Sequence, residues 1–155
     1  MELEKAYQKI TALCARREYC CSDIRAKLLK WELEAGEVEQ LMQQLIQQDF
    51  INEGRYAGVY VRDKARFNKW GPTKIIWNLR QKGLSEEVIK DALATLEEDV
   101  FGSQLEQGLR QKLRLLRQDD PYKRKQALLR FGASRGFAFE EIAAVLDRLK
   151  AEGLL

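Results

Sequence analysis

Arg55, Arg62, Arg66 and Lys69 recur at helical spacing. On an ideal wheel they fall within about 60° of one another. Tyr56, Tyr60 and Phe67 gather on a different side, so one helix carries an aromatic core face and a cationic face. Arg110, Arg114 and Arg117 repeat the spacing of Arg62, Arg66 and Lys69, with Leu105, Leu109, Leu113 and Leu116 on the buried side. No acid interrupts either row on its own face. Rows of guanidinium and ammonium groups attract phosphate and carboxylate surfaces. Solvated helix faces usually mix both signs, so these rows read as binding surfaces. A third group lies in "KWGPTKIIWNLRQKG", residues 69–83. There Ile75, Ile76 and Leu79 form a core edge, and Trp77 falls roughly 160° from Leu79 on the wheel, beside Lys74, Arg80 and Gln81. With Lys82 these residues complete the candidate set. A tryptophan among basic residues suits an interface anchor. Packing on a neighbouring helical unit is the alternative use for Trp77.

Other chemistry is missing. The chain has no histidine, which removes imidazole acid–base catalysis and imidazole metal ligation. Cys14, Cys20 and Cys21 are odd in number and form no CxxC, so reduced thiols near a core are expected rather than a disulfide framework or zinc site. No phosphate loop, dinucleotide fingerprint or nucleophile elbow is present. The acids at 97–99 and 119–120 suit helix ends and caps. No cofactor, metal or small-molecule substrate is expected, and the chain reads as a binding or regulatory protein rather than an enzyme. The charged start "MELEK" and the lack of a long apolar run point to a cytoplasmic protein with no membrane contact.

The net charge over 155 residues is only +3, but its distribution is uneven. Between Asn52 and Gly83 only Glu53 and Asp63 oppose the cations, and between Arg110 and Arg135 only Asp119 and Asp120 do. Residues 86–106 are acidic. Such segregation builds local positive field without a large total charge.

The elements that must position these side chains are helices. Two prolines and abundant Leu, Gln, Glu, Lys and Arg favour that state. Periodicity predicts helices over about 3–17, from Ser22 as cap, through Val38 to Leu45, over about 55–69, from Pro72 to a Gly83 cap, from Ser85, over about 103–117, from Asp120-Pro121, and over about 138–151. Three of them match position by position: Val38, Leu41, Met42 and Leu45; Ile89, Ala92, Leu93 and Leu96; Ile142, Val145, Leu146 and Leu149. Ser22 aligns with Thr73, Leu28 with Leu79, and Pro72 with Pro121. The expectation is an all-α chain of three tandem three-helix, helix-turn-helix-like repeats, residues 1–51, 52–98 and 99–155, in an elongated, curved array.

Three stretches resemble the RecX family, bacterial regulators of the RecA recombinase. "LCARREYCCSDIRAKL" at 13–28 is similar to its first-repeat signature. "DFINEGRYAGVYV" at 49–61 is similar to a block of the form Y-I-[DN]-[DE]-x-R-[YF]-A, with Asn52 where an acid is more usual. "KWGPTKIIWNLRQKGL" at 69–84 is similar to its K-x-G block. The matching block positions are Arg55, Tyr56, Lys69, Gly71, Lys74, Lys82 and Gly83. The third repeat resembles the family least. The resemblance implies tandem three-helix repeats and a protein that binds along the groove of the RecA filament on single-stranded DNA; a monomer is expected. It implies hindrance of strand exchange, ATP turnover and co-protease activity. Contacts to single-stranded or duplex DNA would run through phosphates. Two other readings stay open: a helix-turn-helix-like protein that binds duplex DNA directly, and a scaffold whose cationic rows are solvated faces.

Overall fold

The structure, a computed structural model, describes residues 1–155. It contains nine helices and no strand: α1 (Leu3–Arg16), α2 (Cys21–Lys30), α3 (Ala35–Gln47), α4 (Glu53–Arg66), α5 (Pro72–Gln81), α6 (Glu86–Ala94), α7 (Val100–Leu115), α8 (Pro121–Ser134) and α9 (Phe139–Ala151). The all-α expectation holds, and no helix is long and apolar enough to cross a membrane.

Local chemistry accounts for the helix boundaries. Ser85 caps α6 by accepting from the Val88 N–H, with Glu86 and Glu87 in the first turn. Asp120 caps α8 by accepting from the Tyr122 N–H, and Pro121 takes the first helical position, where no donor is needed. Ser22 does not cap α2. The extended cap residue is Cys20, and Ser22 lies inside the first turn with its hydroxyl donating to the Lys82 carbonyl at 3.0 Å. The glycine-bearing stretch "GASRG" at 132–136 is largely helical: α8 runs through Ser134 and ends in a left-handed Gly136.

The repetition is visible in the middle helices. Leu28, Leu79 and Leu128 stand seven residues after Cys21, Pro72 and Pro121, and all three are fully buried. Just past the same helices, Glu32, Gly83 and Gly136 each take positive φ, the left-handed turn that ends a helix. The final helices also keep their pattern. Val38, Leu41, Met42 and Leu45 are buried, as are Ile142, Val145, Leu146 and Leu149. In α6 only Ile89 and Ala92 are buried. Leu93 is half-buried, and Leu96 lies beyond the helix, which stops at Ala94.

Contacts divide the chain into two compact units, residues 1–60 with 79–95 and residues 61–78 with 96–155. The division passes through α4 and α5. In the first unit α1, α2 and α3 enclose a core of Ala6, Ile10, Ile24, Leu28, Leu41 and Leu45. In the second, α7, α8 and α9 enclose Leu105, Leu109, Leu128, Val145 and Leu149. Gly132 lets α8 and α9 approach closely, since a Cβ there would lie 2.7 Å from the Ile142 side chain. Phe67 departs from the expected aromatic core face. Tyr56 is buried and Tyr60 half-buried, but Phe67 follows the end of α4 and is 78% exposed.

The cysteines are free thiols. Burial, and then Glu53, pushes the Cys21 thiol up to about 11, and burial also raises Cys14 and Cys20. Thiolate is the reactive form. Alkylation of Cys21 by iodoacetamide, followed by mass spectrometry, is therefore expected to be negligible at neutral pH. It should become substantial only as pH approaches about 11.

Candidate cationic and aromatic interface

Helix geometry separates the expected cations into two classes. Arg55, Arg80, Lys82 and Arg110 face carboxylates. Arg55 donates to Glu18 at 2.7 Å and to Asp49 at 2.8 Å, and it also reaches the Asp49 carbonyl. Arg80 forms a two-point pair with Glu86 at 2.6 and 3.1 Å, which holds that carboxyl below its usual range. Lys82 meets Asp23 at 3.4 Å and lies 5.9 Å from the centre of the Tyr56 ring. Arg110 pairs with Glu152 at 2.9 Å and with Glu106, one turn earlier on α7, at 3.8 Å. Glu106 also takes Arg148 at 2.8 Å. The row on α7 is thus interrupted by an acid on its own face. The wheel of basic residues alone hides Glu106 at the i−4 position.

Arg62, Arg66, Lys69, Arg114 and Arg117 have no carboxylate within ion-pair distance. All five belong to the second unit. Arg62 and Arg66 stand one turn apart on α4. Lys69 and Arg117 do not continue their helical rows, because α4 ends at Arg66 and α7 at Leu115. Lys69 instead takes left-handed backbone, φ 59°, and the Trp70 N–H closes the turn on the Lys64 carbonyl at 3.0 Å. The helix has ended before Gly71-Pro72, a stop that keeps it from resuming until α5.

That stop forms a junction inside the second unit. The Gly71 and Thr73 N–H groups donate to the Arg135 and Gly136 carbonyls at 2.6 and 3.0 Å. Lys74 Nζ donates to the Ser134 carbonyl, and Arg135 Nη1 to the Asn68 carbonyl, both at 3.2 Å. The orphan donors that open α5 meet the orphan acceptors that end α8, so each helix end caps the other. A comparable contact in the first unit joins the end of α5 to the start of α2, through Ser22 on Lys82 O and Asp23 on Lys82 Nζ. Ser22 and Thr73, which align in the sequence, do equivalent work.

Around the junction of the second unit the side chains are basic and aromatic. The Trp70 ring carries the Lys64 and Lys74 ammoniums at 4.7 and 4.4 Å from its centre. Trp77, 59% exposed, borders a groove with Trp70, Thr73, Lys74, Ala133 and Gly136. A smaller pocket joins Lys69 to Arg135 among Gln104, Gln107 and Gln111. Trp70 and Arg135 were not in the sequence-derived set, although each adjoins a glycine that makes the junction.

Comparison with known proteins places this arrangement. A family model described as RecX, second three-helix domain, matches residues 52–93. The regulatory protein RecX of Haemophilus ducreyi is 32% identical over 135 residues, 87% of this chain and 86% of that protein. The chain belongs to the RecX family. RecX of Chlorobium phaeobacteroides is 30% identical over 146 residues, with 94% of each chain covered. Lengths vary among RecX proteins, and the match spans 62% of the Clostridium acetobutylicum relative. A crystal structure of regulatory protein RecX superposes with a TM-score of 0.83 at 27% identity, covering 94% of this chain and 71% of that one. RecX from Lactobacillus salivarius, at 19% identity and a TM-score of 0.82, shares the fold over 96% and 97% of the two chains. These relatives are named regulatory proteins, and this chain shares their helical architecture.

Proposed function

We propose that this RecX protein regulates the RecA recombinase by lying along the groove of the RecA–single-stranded DNA filament, where it hinders strand exchange, ATP turnover and co-protease activity. The three repeats would be residues 1–51, 52–98 and 99–155, acting as a cytoplasmic monomer. The observation that carries the reading is the set of unpaired cations Arg62, Arg66, Lys69, Arg114 and Arg117. A charge whose carboxylate partner is absent projects its full field and can meet phosphate or acidic protein surface. A nucleoprotein groove offers both.

Direct reading of duplex DNA by α5 is disfavoured by its blocked start. A recognition helix presents its N-terminal residues to base edges. The first donors of α5 are taken by the end of α8, and Ile75 is buried. Purified protein, well below the RecA concentration, is expected to slow RecA-driven strand exchange. Unchanged exchange at equimolar protein and low salt would overturn the proposal.

A further inference from the structure

The groove beside Trp77 holds chemistry that phosphate contact does not use. Thr73, Lys74 and Trp77 come from one face of α5, and Ala133 and Gly136, from the end of α8, form the opposite wall. The space is about 410 Å³. One wall is aromatic and the other bears almost no side chain, so the opening suits a flat group. Gly136 is kept bare by the backbone crossing, since a Cβ there would strike the Lys74 side chain. The two indoles differ in use. Trp70 is covered by two ammoniums, whereas no ring or cation stacks on Trp77.

The charge around the groove is one-sided. Within the same unit, residues 64–78 include Lys64, Arg66, Lys69 and Lys74 without a single acid. Residues 121–139, which supply the far wall, contain five cations and no acid. An aliphatic side chain from a partner would gain from the indole but nothing from this field. A nucleotide gains from both, because every base has a π face and every linkage a negative charge. In a duplex those faces are already stacked on neighbouring pairs. Only an unpaired strand can offer one.

We infer that Trp77 is a stacking platform for an unpaired nucleobase, and that it makes this surface favour single-stranded over duplex nucleic acid. The inference rests on the reading of the cationic surface as one that meets nucleic acid.

Fluorescence anisotropy with three labelled probes tests it: a short oligothymidylate, an abasic oligomer of the same length and charge, and a duplex. The wild-type protein is expected to bind oligothymidylate roughly tenfold more tightly than the abasic strand, the size of one stacked base. Trp77→Ala should bring oligothymidylate down to the abasic level and leave abasic binding unchanged. Trp77→Phe should restore most of the difference. Trp77 is exposed, so circular dichroism should show both variants folded as wild type. An equal loss on both strands in Trp77→Ala, or no loss, overturns the stacking role. Arg66→Glu combined with Lys69→Glu separates the levels. If the wild type binds the strands equally and this variant loses both, stacking fails and the cationic surface stands. If the wild type binds none of the three probes, both fail.

Discussion

Gly136→Ala is expected to destabilise the protein by about 2–5 kcal/mol, a combination of left-handed strain and overpacking. Gly136 has φ 95°, and an added Cβ would lie against the Cβ and backbone of Lys74. Its carbonyl must also stay in place to receive the Thr73 N–H. No flexible side-chain tip can move aside there, so the two backbones must part and lose the hydrogen bonds that join α5 to α8. Gly83→Ala provides the comparison. It has nearly the same backbone, φ 85°, but nothing within 4 Å of its Cβ. Only the conformational cost remains, about 1–2 kcal/mol. Urea denaturation followed by tryptophan fluorescence measures both, and Trp70 lies beside the junction. Equal losses in the two variants would mean that the crossing contributes nothing. A loss near 5 kcal/mol would consume much of the roughly 5–15 kcal/mol available to a typical domain.

The two glycines also show what the sequence discloses. Gly83 and Pro72 are local signals. They mark a helix end and a helix start whatever surrounds them, and both elements lie where the pattern puts them. Apolar steps such as Ile142, Val145, Leu146 and Leu149 are equally local, because burial follows helical period. Gly71 and Gly136 lie far apart in the chain, and nothing in their neighbours says that Gly136 keeps Gly71 bare or that Lys74 keeps Gly136 bare. Part of the split among the cations was hidden for the same reason. Arg55 and Glu18 are separated by 37 residues, and Arg110 and Glu152 by 42, so no wheel drawn on one helix can pair them. The wheel also failed where helices stop early. Lys69, Arg117 and Phe67 continue a periodic pattern beyond the last helical residue, and a periodic pattern carries no information on where the backbone leaves the helix.

The distinction between paired and unpaired cations sets the second large effect. Arg62→Glu, Arg66→Glu and Lys69→Glu together should weaken association with RecA–single-stranded DNA filaments by about 100-fold near physiological salt, and reduce the salt slope by about 3. Each reversal removes a charge that no carboxylate of this protein offsets, and puts a repulsive one in its place. These side chains make no internal ion pair, so the fold should survive, which thermal melting checks. The control removes whole pairs: Arg55→Gln with Glu18→Gln, Arg80→Gln with Glu86→Gln, and Lys82→Gln with Asp23→Asn. It also loses three positive charges, but each leaves together with the carboxylate that holds it. To a distant polyanion those clusters are nearly neutral, so their loss should change filament affinity by only a few fold. Co-sedimentation with preassembled filaments over a salt series measures both sets. If the control loses as much affinity as the unpaired set, field strength does not select the binding residues, and the assignment of Arg62, Arg66 and Lys69 fails with it.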